Sequence, residues 1–204
     1  MDSDSPSSEF ASILQISREE TVQAFLKANP GILLKTFCTA TGTYICLPKF
    51  RFGTEFVSDF IVVQLWSTLT RIILIEIEPP TEPIFNGRGI FSSRLNGAIG
   101  QINDWFAWIR SNDQYFCDSI LRVVGEHKKE LLVPLANRIK HKDVHAKIVI
   151  GRRASLNDMD IQRLASHNLR DKDMEILAYD RLLEVSEEIS QTKSKENIHA
   201  VAKL

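Results

Sequence analysis

Two periods alternate along this chain, and where one gives way to the other marks the elements. Between Phe52 and Glu78, two runs rich in β-branched and aromatic residues read as strands, Val57 to Leu65 and Arg71 to Ile77. Trp66 to Thr70 fits a short turn between them, so the two strands lie adjacent and antiparallel. Upstream, Leu33 to Leu47 reads as one or two strands broken around Thr41-Gly42. Downstream, Val144 to Gly151 reads as a further buried strand. Met174 to Asp180 reads as a short strand passing into a last helix.

Helical spacing governs the rest. Ser17-Arg18-Glu19-Glu20 has the form of a capping box ahead of Val22, Phe25 and Leu26. The helix it starts is expected to stop near Asn29-Pro30-Gly31. Ser92 or Ser93 can cap a long helix to about Arg110, with Leu95, Ala98, Ile99, Ile102, Phe106 and Ile109 as its apolar stripe. Trp105 and Trp108 widen that stripe, as core residues or as anchors for a partner. Asn157 or Ser155 can cap another helix to about Asn168, while Tyr115 to Gly125 is ambiguous between the two periods. Pro79 to Ile90 reads as a loop by its Pro and Gly content. The predicted class is α/β, a central mixed sheet flanked by helices. The predicted organisation is a disordered segment over 1–12, one domain over 13–190 and a polar tail over 191–204.

Composition narrows the function classes. Of 204 residues, 44% are hydrophobic and 25% charged, as in an ordinary soluble domain. A formal net charge of −1 excludes a global basic footprint, so any contact with nucleic acid must use local patches. Cys38, Cys46 and Cys117 are odd in number and widely spaced, which predicts free thiols in a reducing cytoplasm. No apolar run is long enough to span a membrane, and no leader pattern opens the chain, so no membrane partner is expected.

The candidate chemistry sits on the paired strands. Antiparallel pairing brings Asp59 near the Glu76 end, and the pleat puts Glu76 and Glu78 on one face. Three carboxylates together need a cation, and an oxygen-only cluster suits Mg²⁺ or Mn²⁺. Solvated strand boundaries account for the same acids without any metal. Lys49 and Arg51, two apart, can face a phosphate backbone or simply water. Arg88 lies in the loop after the acidic strand, where a substrate groove is natural, or is a plain surface arginine. Gln101 flanks the apolar stripe of the long helix and can hydrogen-bond over the carboxylates. His141 and His145 are four apart, but their surroundings read as loop entering strand, not as a helix that would bring them together.

These stretches, in this order, resemble the Shedu family of anti-phage defence nucleases, whose C-terminal domain is of the PD-(D/E)xK superfamily. The resemblance runs from about Glu19 to Leu183. It rests on Glu20 to Leu26 with Asn29-Pro30, Phe52-Gly53 through Asp59-Phe60, and Ile75-Glu76-Ile77-Glu78-Pro79. Further on it rests on Gln101 to Trp105, Ile148 to Arg153 and Ala178 to Leu183. It implies a restriction-endonuclease-like core and metal-assisted phosphodiester hydrolysis on DNA with Mg²⁺ or Mn²⁺. It implies Asp59, Glu76 and the Ile77 carbonyl as metal ligands, Glu20 as an outer acid, and Gln101 positioning water or phosphate. Glu78 stands where most of the superfamily has lysine. The missing positive charge then falls to a second metal ion, to Arg88 or to Arg94. By analogy with enzymes that cut duplexes, a dimer or tetramer is expected. Two rivals stay open: a degenerate nuclease fold that binds or senses nucleic acid without cutting it, and an assembly module that oligomerises through the Trp105 and Trp108 helix.

Overall fold

The computed structural model describes residues 6–16, 18–38 and 42–201, with backbone only for Ile16 and residues 193–201. Three helices open it: α1 (Pro6–Ile16), α2 (Glu19–Ala28) and α3 (Pro30–Phe37). A meander follows, β1 (Thr43–Phe52), β2 (Phe56–Leu65) and β3 (Thr70–Ile77). Then come α4 (Ser93–Ser111), α5 (Asp113–His127), α6 (Leu132–Ala136), β4 (Lys142–Val149), α7 (Asp158–Arg170), β5 (Met174–Leu177) and α8 (Asp180–Val201).

The five strands form one mixed sheet in the order β1-β2-β3-β4-β5. The first three are antiparallel, while β4 and β5 run parallel to β3. Parallel neighbours need a long crossover, and here α4, α5 and α6 supply it. Each face of the sheet is covered. Ile61, Val63, Ile72, Leu74, Ala146 and Ile148 pack with α4 and α5 on one side. Phe60, Val62, Ile73, Ile75 and Ile77 pack with α1, α2, α3 and α8 on the other. The mixed sheet between helical layers agrees with a restriction-endonuclease-like α/β core.

The strand limits around the acids match the expected ones closely, and Ser92 caps α4 by accepting from the Leu95 amide. Other expectations are corrected. Leu33 to Phe37, read as strand, is helical, because Asn29-Pro30 both stops α2 and starts α3. Proline costs nothing in a first helical turn, where its missing N–H has no partner to lose. Tyr115 to Gly125 falls within α5. At the N-terminus, residues 1–5 of the stretch expected to be disordered lie outside the described residues, but the chain is helical from Pro6. There Phe10 stacks on Phe25 at 4.7 Å and is fully buried with Leu14 close behind. The expected polar tail is helical to Val201, and residues 202–204 lie outside the described residues. Ser17 of the expected capping box lies outside them too, and the residue before α2 is Arg18, which makes no side-chain cap.

Two local features matter below. In β1, Ile45 and Leu47 face the α4 side, and so do Phe50 and Phe52, so the alternation slips by one at Lys49. Lys49 has φ +50, and among the described residues it is the one non-glycine with positive φ. At the other edge of the sheet, the Asn168 side chain lies along β5. Its amide donates to the Ile176 carbonyl at 2.9 Å and accepts from the Ile176 N–H at 3.0 Å.

Candidate active site

The register of β2 on β3 runs from Leu65↔Thr70 to Phe60↔Ile75, and one further step sets Asp59 against Glu76. Asp59 is 6% exposed. Its Oδ2 accepts from the Ile77 N–H at 2.8 Å, and its Oδ1 from Lys49 Nζ at 2.5 Å. In a strand, the N–H and C=O of one residue leave on the same side, so the Ile77 carbonyl is turned toward Asp59 as well. Glu76 and Glu78, two apart, both face α4. From α4, Arg94 and Gln101 reach them. They are seven residues apart and share the inward stripe with Ala98 and Trp105.

Gln101 Nε2 donates to Glu76 Oε1 at 3.0 Å, while Glu76 Oε2 is buried with no partner. Arg94 joins two acids: its Nε bonds Glu78, and its Nη2 bonds Glu19 at 2.6 Å. Gln23 holds the other oxygen of Glu19 at 3.0 Å. Tyr179, fully buried at the start of α8, donates its hydroxyl to the Glu78 carbonyl at 2.6 Å.

Four carboxylates (Glu19, Asp59, Glu76 and Glu78) thus form one cluster with two cations, Lys49 and Arg94. The crowding of acids bears most on Glu76. Burial, reinforced by Asp59, Glu78 and Glu19, pushes it up to about 9, against a smaller pull from Gln101. Glu78 and Glu19 are also raised, chiefly by burial and against the pull of Arg94. Acids outnumber cations here, and one Glu76 oxygen is buried without a partner, so a divalent cation could be held among them. Among the described residues no three acidic, His or Cys side chains close on one point. Asp59, Glu76 and the Ile77 carbonyl are the available donors. Mg²⁺ suits such a set, because it usually keeps several waters and takes only one or two carboxylates.

The structure brings together Lys49, Asp59, Glu76, Ile77, Glu78, Arg94 and Gln101. It does not bring in Glu20, which is exposed, or Arg51, which is exposed and lies between two inward-facing phenylalanines. Arg88 is exposed in the loop and has no ion pair among the described residues. Its backbone N–H bonds Asn86 Oδ1. His141 lies in a turn and His145 on β4, where it bonds Asp143 at 2.8 Å. Two site residues escaped the sequence reading. Glu19 was legible: it precedes the buried Val22 by three and Leu26 by seven, so it shares their face. Tyr179 carried no local signal.

Comparison with known families bears on the same stretch. The family model of the C-terminal region of the Shedu protein SduA matches residues 17–183. The chain belongs to the Shedu family. No curated protein matches it. Shedu membership implies a part in anti-phage defence, and the matched span contains every residue of the cluster. Among the described residues of this Shedu chain, no helix is long and apolar enough to cross a membrane.

Proposed function

We propose that this chain is a metal-dependent DNA endonuclease or nickase that hydrolyses phosphodiester bonds in anti-phage defence. The observation that carries the reading is the placement of Asp59 and Glu76 one step beyond the last β2–β3 pair, Phe60↔Ile75, with one Glu76 oxygen buried and unpartnered. Asp59, Glu76 and the Ile77 carbonyl would hold Mg²⁺ or Mn²⁺. Such an ion would lower the pKa of a coordinated water and stabilise the negative charge that builds on the phosphoryl oxygens. Gln101 fixes Glu76 through its amide N–H and keeps its amide oxygen as an acceptor for water. Arg94 neutralises Glu78, so the strand end does not repel an incoming phosphate. A double-strand cut needs two such sites, and a dimer or tetramer accompanies this reading.

A second reading rests on Glu78. It holds the position of the usual lysine and is tied down by Arg94, as in a degenerate site that binds nucleic acid without cutting it. The assembly reading loses one of its anchors, since Trp105 is fully buried in the chain's own core. The test is cleavage of linear, supercoiled and single-stranded DNA with Mg²⁺, Mn²⁺ or EDTA. Metal-dependent cutting that disappears in Asp59→Ala and Glu76→Ala supports the nuclease. DNA binding without cutting in any buffer supports the second reading.

A further inference from the structure

We infer that Lys49, from the edge strand β1, supplies the catalytic ammonium that β3 lacks at Glu78. The inference rests on the nuclease reading and assigns a role within the same site. Lys49 lies directly across from Asp59, between the pairs Pro48↔Phe60 and Phe50↔Ser58. Its Nζ is 2.5 Å from Asp59 Oδ1. It therefore sits on the same side of the sheet as Glu76 and Glu78, beside the acids and not out on the flank of the fold.

The backbone makes the placement more than a chance surface pair. A lysine at φ +50 adopts a conformation that glycine or asparagine takes far more readily. Strain of this kind persists where the surrounding structure has a use for the side chain. The slip it introduces keeps Phe50 and Phe52 in the core while the lysine reaches Asp59. The other cations are less suited. Arg94 is held by Glu78 and Glu19 together, and Arg88 stands off in the loop. Lys49 has one carboxylate partner, and its side chain is 58% exposed, open to an arriving phosphate.

Were Asp59 to ligate a metal ion, the three N–H donors of Lys49 would be free for a non-bridging phosphate oxygen and for the attacking water. The water oxygen bonds to phosphorus as the ester bond to the leaving sugar oxygen breaks, and a water proton passes to that leaving oxygen through solvent. Lys49 stays an ammonium throughout and acts by charge and position.

The test combines cleavage, Mg²⁺ binding by calorimetry and DNA binding in Ca²⁺ for wild type, Lys49→Gln, Lys49→Gly and Asp59→Asn. Lys49→Gln is expected to lower kcat by about 100-fold or more, as loss of one preorganised donor does. It should bind Mg²⁺ at least as tightly as wild type, because Asp59 no longer has a competing cation. Lys49→Gly relieves the backbone strain, so it should melt no lower than Lys49→Gln and be equally inactive. Asp59→Asn should lose both metal and turnover. If Lys49→Gln cuts within about threefold of wild type while Asp59→Asn is dead, the inference fails and the nuclease reading stands. If either Lys49 variant loses Mg²⁺ binding together with turnover, Lys49 is only a structural partner of Asp59 and the inference fails. If wild type neither binds Mg²⁺ nor cuts, the nuclease reading fails and takes the inference with it.

Discussion

Replacing Glu76 with glutamine isolates the electrostatic argument from the packing one. The variant keeps the shape of the side chain and an acceptor for Gln101, and removes only the ionisable group. In the folded protein Glu76 holds its proton up to about 9, against an ordinary value of 4.5. Between those limits the folded state carries a proton that the unfolded chain has released. Stability is therefore lost as pH rises from about 4.5, and the loss levels off above about 9. Each pH unit in that window costs about 1.4 kcal/mol, so the ceiling at pH 7 is about 3 kcal/mol. Coupling to the neighbouring acids and partial solvation lower this, and Glu76→Gln is expected to stabilise the metal-free protein by ~1–3 kcal/mol at pH 7. For a chain of this size that raises the melting temperature by ~3–10 °C. The assay is thermal unfolding in EDTA at pH 4.5, 6, 7 and 8. The gain should be absent at pH 4.5 and grow with pH. A variant that is less stable than wild type at pH 8, or whose difference does not change with pH, would refute the idea that Glu76 is a frustrated carboxylate. In Mg²⁺ the order should narrow or invert, since only wild type gains from the ion.

Other consequences follow from the same neighbourhood. Gly53→Ala places a methyl 2.7 Å from the Trp108 ring at a residue with φ +67. It should cost ~1–3 kcal/mol, read as a lower urea midpoint at unchanged slope. Tyr179→Phe leaves the Glu78 carbonyl without its buried donor. A loss of ~1–3 kcal/mol is expected in chemical denaturation, and a neutral result would show that another donor takes over. Arg94→Met strands a Glu78 side chain that is only 6% exposed, at a cost of about 2–4 kcal/mol. The double variant with Glu78→Met should recover at least half of that, and simple additivity in the double-mutant cycle would contradict the pairing.

The parts of this fold that sequence made visible are those with strong local chemistry. The β-branched runs of β2 and β3, the Ser92 cap and the Asn157 capping box each state their conformation within a few residues. The acids on those strands followed directly, because antiparallel neighbours leave little freedom in where Asp59 meets Glu76. Ambiguity entered where one signal has two uses. Asn29-Pro30 ends one helix and begins another, and the short apolar run after it suits a strand equally well. Lys49 is visible in the sequence as one of two basic residues just ahead of the acidic strands. Its contact with Asp59 depends on a left-handed backbone and on a partner ten residues away, which no local pattern encodes. Glu19 and Glu20 differ by one position on a helix, about 100° of rotation, and Glu19 is the one that shares a face with the buried Val22 and Leu26.

Asn168 on β5 has a consequence for how copies of this chain can meet. An outermost strand with open N–H and C=O groups is a template onto which another chain can add, and proteins suppress that hazard. Here the Asn168 amide acts as a one-residue mimic of a neighbouring strand, filling both backbone valences of Ile176 on a strand only four residues long. The opposite border carries Pro48, Lys49 and Arg51, while Lys128 covers the Tyr44 carbonyl. Both borders of the sheet are thus blunted against accretion. Strand addition along the hydrogen-bonding direction is thereby disfavoured at both ends of the sheet.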